Sequence, residues 1–273
     1  MRAVVQDAMQ LTGTGPDSYE QYQVPSVFEP LARMFLARMA LRPGERVLDV
    51  ACGTGIVARL AAPLLGPAGS IIGTDLNAGM LEVARRHQPS GGAHVEWRQG
   101  DAMALPFPDA GFDVVLCQQG LQFFPERAGA LREMRRVLRP GGRVGLCVWR
   151  GIEHSPCHLA IAAALRRHLG PDLAARFEAP FDFGDGEALR DAMAAAGFRD
   201  IVIEVATVTR RLLPPAESIP GLLASTPIGP DVAALDGGTR DAIIAEAAEA
   251  LTAYHDARGM TVPQPTHIAL GTA

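Results

Sequence analysis

The sequence predicts a doubly wound α/β fold with a seven-stranded, mostly parallel sheet. From residue 46 to residue 149, short apolar runs alternate with helix-like amphipathic stretches, and glycine-rich turns separate them. The length of 273 residues suffices for one large domain with an appended cap. With 48% hydrophobic and 20% charged residues, the chain also has enough apolar side chains for a packed core. We therefore expect helices on both faces of the sheet.

Each predicted element follows from hydrophobic periodicity and its turn signals. Short apolar runs predict strands at 46–51, 70–76, 94–99, 112–118, 143–149, 199–211 and 266–270. Helical patterns occupy 27–41, 78–87, 126–138, 155–169 and 187–196, and a further helix ends near residue 65. Proline and glycine at 140–142 end one of these helices and start the fifth strand.

The order of the elements divides the chain into four regions. Residues 1–45 form an N-terminal arm and cap helix, in which the first fourteen or so residues carry no clear pattern. Residues 46–212 form the core. A proline-rich break then opens a mostly helical insertion and substrate cap at 213–262, and residues 263–273 add a terminal strand that completes the sheet.

Charge and composition exclude several kinds of partner. The net charge is −5 and no lysine is present, so no basic stripe predicts nucleic-acid binding. No apolar run reaches the roughly 18 residues that a membrane span requires, and the N-terminus lacks a signal-like stretch. The four cysteines show no C-x-x-C spacing, so we expect neither a disulfide nor a metal site. These features predict a cytoplasmic monomer or homodimer that acts on a small molecule.

The segment Val47–Gly55 carries the strongest functional signal. A buried strand there enters a glycine turn and then a helix, which directs backbone N–H groups toward a ligand at the end of the strand. Gly53 and Gly55 allow close approach of that ligand or a positive φ angle. The same residues also match the dinucleotide pattern G-x-G-x-x-A, with Asp75 about twenty residues further on. The turn alone therefore leaves the ligand open.

Three carboxylates narrow the choice of ligand for this turn. Asp49, Asp75 and Asp101 lie at the ends of three successive predicted strands. They would repel a pyrophosphate but attract an ammonium or sulfonium group. A cationic nucleoside is therefore favoured over a polyanion.

Five segments stand in a characteristic order along residues 46–149. They read VLDVACGTG, GTDLNAGML, GDAMALPF, FDVVLCQQGLQFF and LRPGGRVGL. In order and spacing the chain resembles the class I S-adenosylmethionine-dependent methyltransferases, especially the quinone C-methyltransferases and natural-product tailoring enzymes. Outside this core, residues 19–36 are similar to the family's cap helix, and 197–211 with 266–270 to its closing antiparallel strand pair. The resemblance implies a Rossmann-like sheet, S-adenosyl-L-methionine as cofactor and S-adenosyl-L-homocysteine as product.

The resemblance also implies roles at the methionine end of the cofactor. Asp49 and the carbonyl of Ala51 would hold the amino group, and Gly53 and Gly55 would frame the methionine and the ribose. Gln118 would offer its carbonyl beside the methyl donor. Ala51 departs from the family pattern, because it replaces the first glycine of the usual G-x-G-x-G and crowds the turn.

Five further residues match the family's nucleoside contacts. Asp75 would accept hydrogen bonds from both ribose hydroxyls, and Leu76 and Met80 would cover the adenine. Asp101 would accept from the exocyclic amine, while the N–H of Ala102 would reach a ring nitrogen.

The acceptor side is predicted from side-chain character alone. Tyr22 on the cap helix, with Gln122 and Phe123 after the fourth strand, would line a pocket for a flat, partly apolar molecule. We expect methylation of an O or C atom of an aromatic, quinone or polyketide-like compound, in secondary metabolism. Methyl transfer is a direct displacement, so a base is optional. His154 is the candidate base, and His158 lies at the same edge of the sheet.

Three alternatives stay open at this point. A nicotinamide-dependent oxidoreductase would use the same glycine turn. A non-catalytic S-adenosylmethionine-binding regulator would share every cofactor residue. An aminopropyltransferase is disfavoured, because no acidic cluster beyond the sheet is available to bind its acceptor.

Overall fold

The computed structural model describes residues 11–273, and an eight-stranded sheet forms the centre of the fold. The strands are β1 (Arg46–Val50), β2 (Ser70–Asp75), β3 (His94–Gln99), β4 (Phe112–Gln118), β5 (Leu138–Trp149), β6 (Arg199–Leu212), β7 (His255–Asp256) and β8 (Gly259–Thr272). Their order is β3-β2-β1-β4-β5-β8-β6, with β7 paired to β8. The first five strands are parallel, and β8 is antiparallel to both β5 and β6. The predicted α/β class is confirmed. The arm expected over the first fourteen residues lies mostly outside the described residues.

The predicted strand count of seven is wrong by one. The additional strand, β7, has two residues and forms a tight hairpin with the start of β8, so it leaves no apolar pattern in the sequence. β8 also begins at Gly259, well before the predicted residue 266. The sequence did not predict this extension because it contains Pro263 and Pro265, and proline within a run argues against a strand. The two prolines are tolerated because β8 pairs with β5 only from Thr266 onward. Residues 261–265 therefore have one strand neighbour, β6.

A continuous helical run from residue 15 to residue 39 precedes the sheet. It consists of α1 (Gly15–Ser18), a π-helical stretch (Tyr19–Phe28) and α2 (Glu29–Met39). Pro25 lies inside the π-helical stretch, so the sequence predicted a helix only from residue 27. Wider π-helical turns carry the chain through the proline without ending the helix.

The other helices flank the sheet or follow it. They are α3 (Ile56–Leu65), α4 (Ala78–Arg86), α5 (Arg127–Val137), α6 (Pro156–Leu169), α7 (Pro171–Glu178), α8 (Gly186–Ala195), α9 (Pro215–Ala224), α10 (Gly229–Ala233) and α11 (Gly237–Ala250). Short 3₁₀ turns lie at Leu121–Phe123, Ile152–His154, Ala179–Phe181 and Thr252–Tyr254. Within residues 11–273, no helix combines the length and apolar character that crossing a membrane requires.

Apolar layers cover both faces of the sheet. Val47 packs in one layer with α2 and α3, and the next residue, Leu48, packs in the other with α5 and α8. A third cluster joins α6, α9 and α11 to the far ends of β6 and β8. Because successive strand residues point to opposite faces, β1 is buried on both sides, as expected for a central parallel strand.

Strands β6 and β8 extend beyond the carboxyl edge of the parallel sheet. Thr266 pairs with Trp149, the last residue of β5, and also with Ala206 of β6. Residues 207–212 therefore pair with 260–265 above that edge, in a two-stranded segment that we call the overhanging ribbon. Six residues of strand span roughly 20 Å. The ribbon thus forms a wall beside the ends of the parallel strands.

Gly55 offers a test of the packing around the first turn. It has φ +87°, and a Cβ atom there would lie 2.3 Å from the Trp97 indole. We expect Gly55→Ala to lower the free energy of unfolding by about 2–5 kcal/mol, because backbone strain and overpacking add. Urea denaturation measures this change.

Gly44→Ala is the matched control. Gly44 has nearly the same φ, +85°, but nothing lies within 4 Å of an added Cβ. It should lower stability by only about 1–2 kcal/mol, from backbone strain alone. Equal losses in the two variants would show that the Trp97 contact is unimportant.

Candidate functional site

A cavity of about 260 Å³ lies at the carboxyl edge of the parallel strands. Its floor comes from the turns after β1 to β4. Its walls come from the π-helical stretch, from α6, α7 and the turns that follow α7 and α9, and from Arg210 of the overhanging ribbon. Many of the predicted site residues line it: Ala51, Gly53, Asp75, Leu76, Met80, Asp101, Ala102, Gln118 and Phe123. Among the described residues, the lining does not include Asp49, Gly55, Tyr22, Gln122 or His154.

Asp75 connects the glycine turn to the end of β2. Its Oδ2 accepts a hydrogen bond from the Gly53 N–H at 2.8 Å, and its Oδ1 accepts one from the Asn77 N–H at 2.8 Å. Burial raises the pKa of Asp75, while these backbone N–H groups oppose the rise. Asn77, not Asp75, caps α4, because its side chain accepts from Gly79 and Met80. A carboxylate offers about four acceptor positions, so Asp75 retains capacity for a ligand in the cavity.

Asp49 lies beneath the glycine turn and is 1% exposed. Burial raises its pKa to about 8; a hydrogen bond from the Ala58 backbone opposes this rise, and the Asp75 charge adds to it. Its Oδ2 has no hydrogen-bond partner among residues 11–273. Gly55 also faces away from the cavity, against Trp97. Both residues therefore support the turn from below.

Asp101 and Gln118 present acceptor oxygens beside the cavity, after β3 and at the end of β4. Asp101 Oδ1 accepts from the Met103 N–H at 2.8 Å, which folds the chain into a tight turn beside the cavity. Gln118 Nε2 donates to the Phe28 carbonyl at 3.2 Å. Its Oε1 is buried and has no partner in the described part of the chain. Such an unpaired acceptor is costly unless a ligand donates to it.

Two non-glycine residues beside the cavity adopt left-handed backbone conformations. Ala51 has φ 54° and Gln119 has φ 57°. The crowding expected from alanine in the turn is relieved opposite it, since a Cβ on Gly120 would lie 2.6 Å from the Ala51 Cβ. Strained backbone of this kind concentrates at functional sites. Gly120 has no side chain, so it leaves room for Ala51, which replaces the family's glycine.

The π-helical stretch lines the cavity through residues that the sequence analysis did not name. Tyr19, Gln23 and Val27 line the cavity, and the Tyr19 ring stacks on Phe28 with centroids 4.8 Å apart. Burial raises the pKa of Tyr19, and the Asp75 charge adds to this rise. Tyr22, the predicted pocket residue, is instead 38% exposed. The four-residue spacing of Tyr19, Gln23 and Val27 was the available signal.

The loop after β4 contains two predicted pocket residues, and only one of them lines the cavity. Phe123 lines the cavity and is 37% exposed. Gln122 is 4% exposed and lies behind the wall, where its Nε2 donates to Gln119 Oε1 at 3.0 Å. Gln122 thus supports Gln119, which is itself a lining residue.

The two histidines after β5 occupy different environments. The His154 side chain is 39% exposed and lies beside Glu153, at 3.3 Å, outside the cavity lining. His158 does line the cavity, with its ring centroid 4.9 Å from that of Phe181. Burial and the Arg210 charge lower the pKa of His158 to about 3, so its imidazole is neutral at ordinary pH.

Comparisons with known proteins agree with this geometry. Residues 48–146 match a family described as methyltransferase domain. The chain is 40% identical over 116 residues to 2-phytyl-1,4-naphtoquinone methyltransferase of Synechococcus elongatus, covering 42% of this chain and 50% of that protein. It is 44% identical over 114 residues to the ubiquinone/menaquinone biosynthesis C-methyltransferase UbiE of Ectopseudomonas mendocina, covering 41% and 44%. The chain thus spans about half the length of these curated relatives.

A solved structure is similar in fold over more of the chain than residues 48–146. Phosphoethanolamine N-methyltransferase 2 of Haemonchus contortus, solved with S-adenosyl-L-methionine, has a TM-score of 0.59 at 21% identity, covering 95% of this chain and 57% of that chain. The sheet and its glycine turn thus define the class I methyltransferase fold. Over residues 48–146, the chain is similar to proteins of the methyltransferase domain family.

The contact between positions 51 and 120 can be tested by a double-mutant cycle. Gly120→Ala places a Cβ 2.6 Å from the Ala51 Cβ and 2.8 Å from Cys117 Sγ. We expect it to lower the free energy of unfolding by about 1–3 kcal/mol. Adding Ala51→Gly removes one of the two clashes, so the double variant should recover part of the loss. Strictly additive effects in urea denaturation would contradict the proposed compensation.

Proposed function

We propose that this protein is a methyltransferase that uses S-adenosyl-L-methionine to methylate an O or C atom of a small, partly apolar acceptor. One observation carries the proposal: Asp75 is hydrogen-bonded to the Gly53 turn and lines the same cavity as Asp101. Carboxylates at successive strand ends favour a cationic nucleoside. They disfavour a dinucleotide, because a pyrophosphate against the turn gains no attraction from the Asp49 carboxyl, whereas a cation there favours its ionised form.

The nucleoside half of the cofactor would lie over the ends of β2 and β3. Asp75 retains acceptor positions for the ribose hydroxyls, and Leu76 and Met80 would cover the adenine. Asp101 would accept from the exocyclic amine, with the Ala102 N–H beside a ring nitrogen. All five residues line the cavity, which supports this placement.

The methionine half would lie over the end of β1. When bound, S-adenosyl-L-methionine supplies a methyl group on a positively charged sulfur, which leaves as a neutral thioether. The carbonyl of Ala51 would accept from the amino group, with the Asp49 charge below it. Gln118 Oε1 is a buried acceptor without a partner in the described chain, so a donor or cation beside it would remove an energetic penalty.

Aromatic side chains suit the remaining space to a flat acceptor. Trp149 and Phe181 stack with centroids 6.4 Å apart, and both line the cavity with Phe123. The relatives' names specify quinones and naphthoquinones, which supports an acceptor of this shape. Alignment of the acceptor with the methyl group supplies much of the rate, and the proton that the acceptor loses can pass to water. His158 faces the cavity and His154 does not, but a pKa of about 3 makes His158 a weak base, so we assign no proton-accepting side chain.

The proposal includes a reducing compartment such as the cytoplasm and a role in secondary metabolism. All four cysteines are free and buried, as is typical of intracellular proteins. Among residues 11–273, no group of three or more His, Cys, Asp or Glu side chains is placed to hold a metal. The displacement itself needs none.

Calorimetric titration tests the cofactor assignment directly. Both S-adenosyl-L-methionine and S-adenosyl-L-homocysteine should bind with one site per chain, and NAD should not. A methyl-transfer assay against hydroquinones and phenols then separates an enzyme from a binding regulator. Binding of NAD without S-adenosyl-L-methionine would show that the oxidoreductase alternative is correct.

Asp75→Asn should weaken binding of S-adenosyl-L-homocysteine by about 1–3 kcal/mol, because it removes charge-assisted hydrogen bonds to the ribose. Calorimetry measures the dissociation constant. Asp109→Asn is the control, since the Asp109 side chain is 79% exposed and lies outside the cavity lining. An unchanged affinity in Asp75→Asn would mean that the nucleoside lies elsewhere.

Binding of S-adenosyl-L-methionine should release protons through Asp49. With a pKa of about 8 this carboxyl is mostly protonated at pH 7, and a nearby cation favours its ionised form. We expect release of about 0.5–1 proton per site at pH 7, and an affinity that rises from pH 6 toward pH 8. Binding enthalpies in buffers of different ionisation enthalpy give the proton count. Asp49→Asn should remove this contribution, and an identical proton count in that variant would assign the protons to other groups.

A further inference from the structure

Arg210 is a buried cation that the cofactor assignment does not use. It lies on the overhanging ribbon, is 1% exposed and lines the cavity. Its Nη2 donates to Gln23 Oε1 and to Ser26 Oγ, each at 3.0 Å. Its Nε is buried without a hydrogen-bond partner among the described residues. Both observed partners are neutral, so they leave the charge uncompensated.

No carboxylate in residues 11–273 lies within salt-bridge distance of Arg210, whereas the partly buried Arg59 and Arg143 each have an acidic partner. Around the guanidinium, the π-helical stretch contributes Gln23 and Ser26, and α6 contributes Cys157 and the neutral His158. Burial lowers the pKa of Arg210, in keeping with this missing counter-charge. Buried charges in proteins are ordinarily paired, because an unpaired one is strongly destabilising.

The cavity is therefore polarised. Asp75 and Asp101 lie at the ends of β2 and β3, whereas Arg210 lies on β6, at the other side of the sheet. The acidic end suits the cationic cofactor, and the basic end remains for the acceptor.

We propose that Arg210 binds a carboxylate carried by an aromatic methyl acceptor. This inference rests on the proposed methyltransferase function and adds the charge of its acceptor. A carboxylate supplies the missing counter-charge and accepts bidentate hydrogen bonds from a guanidinium. Trp149 and Phe181, which line the same cavity, would contact the ring of the acceptor. Gln23 holds the guanidinium in place, and its own Nε2 donates to Ser225 Oγ at 2.7 Å.

The test compares two probes of the same shape, 2-naphthoate and the neutral 2-naphthamide. Calorimetry is performed on the full chain saturated with S-adenosyl-L-homocysteine. The wild-type complex should bind 2-naphthoate at least about tenfold more tightly, since a hydrogen bond to a charged group exceeds a neutral one by this order. Arg210→Met should abolish the preference, and Arg210→Lys should retain part of it.

Arg211→Met is the matched control. Arg211 is the next residue on β6 and is exposed, because alternate strand residues face opposite sides. It should keep the full preference for 2-naphthoate. Unchanged affinity for S-adenosyl-L-homocysteine in each variant shows that the fold is intact. The wild-type comparison of the two probes holds even if Arg210→Met fails to fold.

The outcomes separate the two proposals. If the wild type binds S-adenosyl-L-homocysteine but shows no preference for 2-naphthoate, or binds neither probe, the inference about Arg210 is wrong and the proposed function stands. If S-adenosyl-L-homocysteine does not bind, the proposed function is wrong. The probe comparison, repeated without the nucleoside, still decides whether Arg210 recognises a carboxylate.

Discussion

The hydrogen bond from the Gly53 N–H to Oδ2 of Asp75 is the interaction on which the rest of the site depends. It connects the turn after β1 to the end of β2, and so fixes the backbone from which α3 begins. Burial raises the pKa of Asp75, and backbone N–H groups oppose that rise. The same contact therefore stabilises the carboxylate and holds the turn in its left-handed conformation. The Cys52 N–H, which donates to the Thr74 carbonyl at 3.0 Å, holds the same turn beside Ala51, whose φ is 54°.

Only part of the cavity lies in the segment that matches known proteins. Its floor comes from residues 48–146, the segment that matches the methyltransferase domain family. Its upper walls, among them the π-helical stretch and Arg210 of the overhanging ribbon, lie outside that segment. The floor that is shared with those proteins suits a cofactor that is shared with them. Under the proposed function, the acceptor preference would then depend on the walls, to which Arg210 contributes a buried guanidinium.

Local signals made the floor predictable. The strands, the glycine turn, Asp75 and Asp101 each follow from a few neighbouring residues, and the structure places both carboxylates on the cavity. The walls depend on distant contacts that no local pattern contains. Tyr19 was missed because a π-helical stretch changes which residues share a face. The start of β8 was missed because Pro263 argues against a strand unless one side of it has no partner strand.

The upper wall is held together by contacts between the two ends of the chain. Gln23 bonds to Ser225 and to Arg210, across sequence separations of 202 and 187 residues. Both are side-chain hydrogen bonds, and they lie outside the backbone pairing of the central sheet. The seam can therefore open without breaking a backbone ladder of the sheet. Under the proposed function, such an opening would let an acceptor enter and a methylated product leave while the nucleoside stays bound at the strand ends.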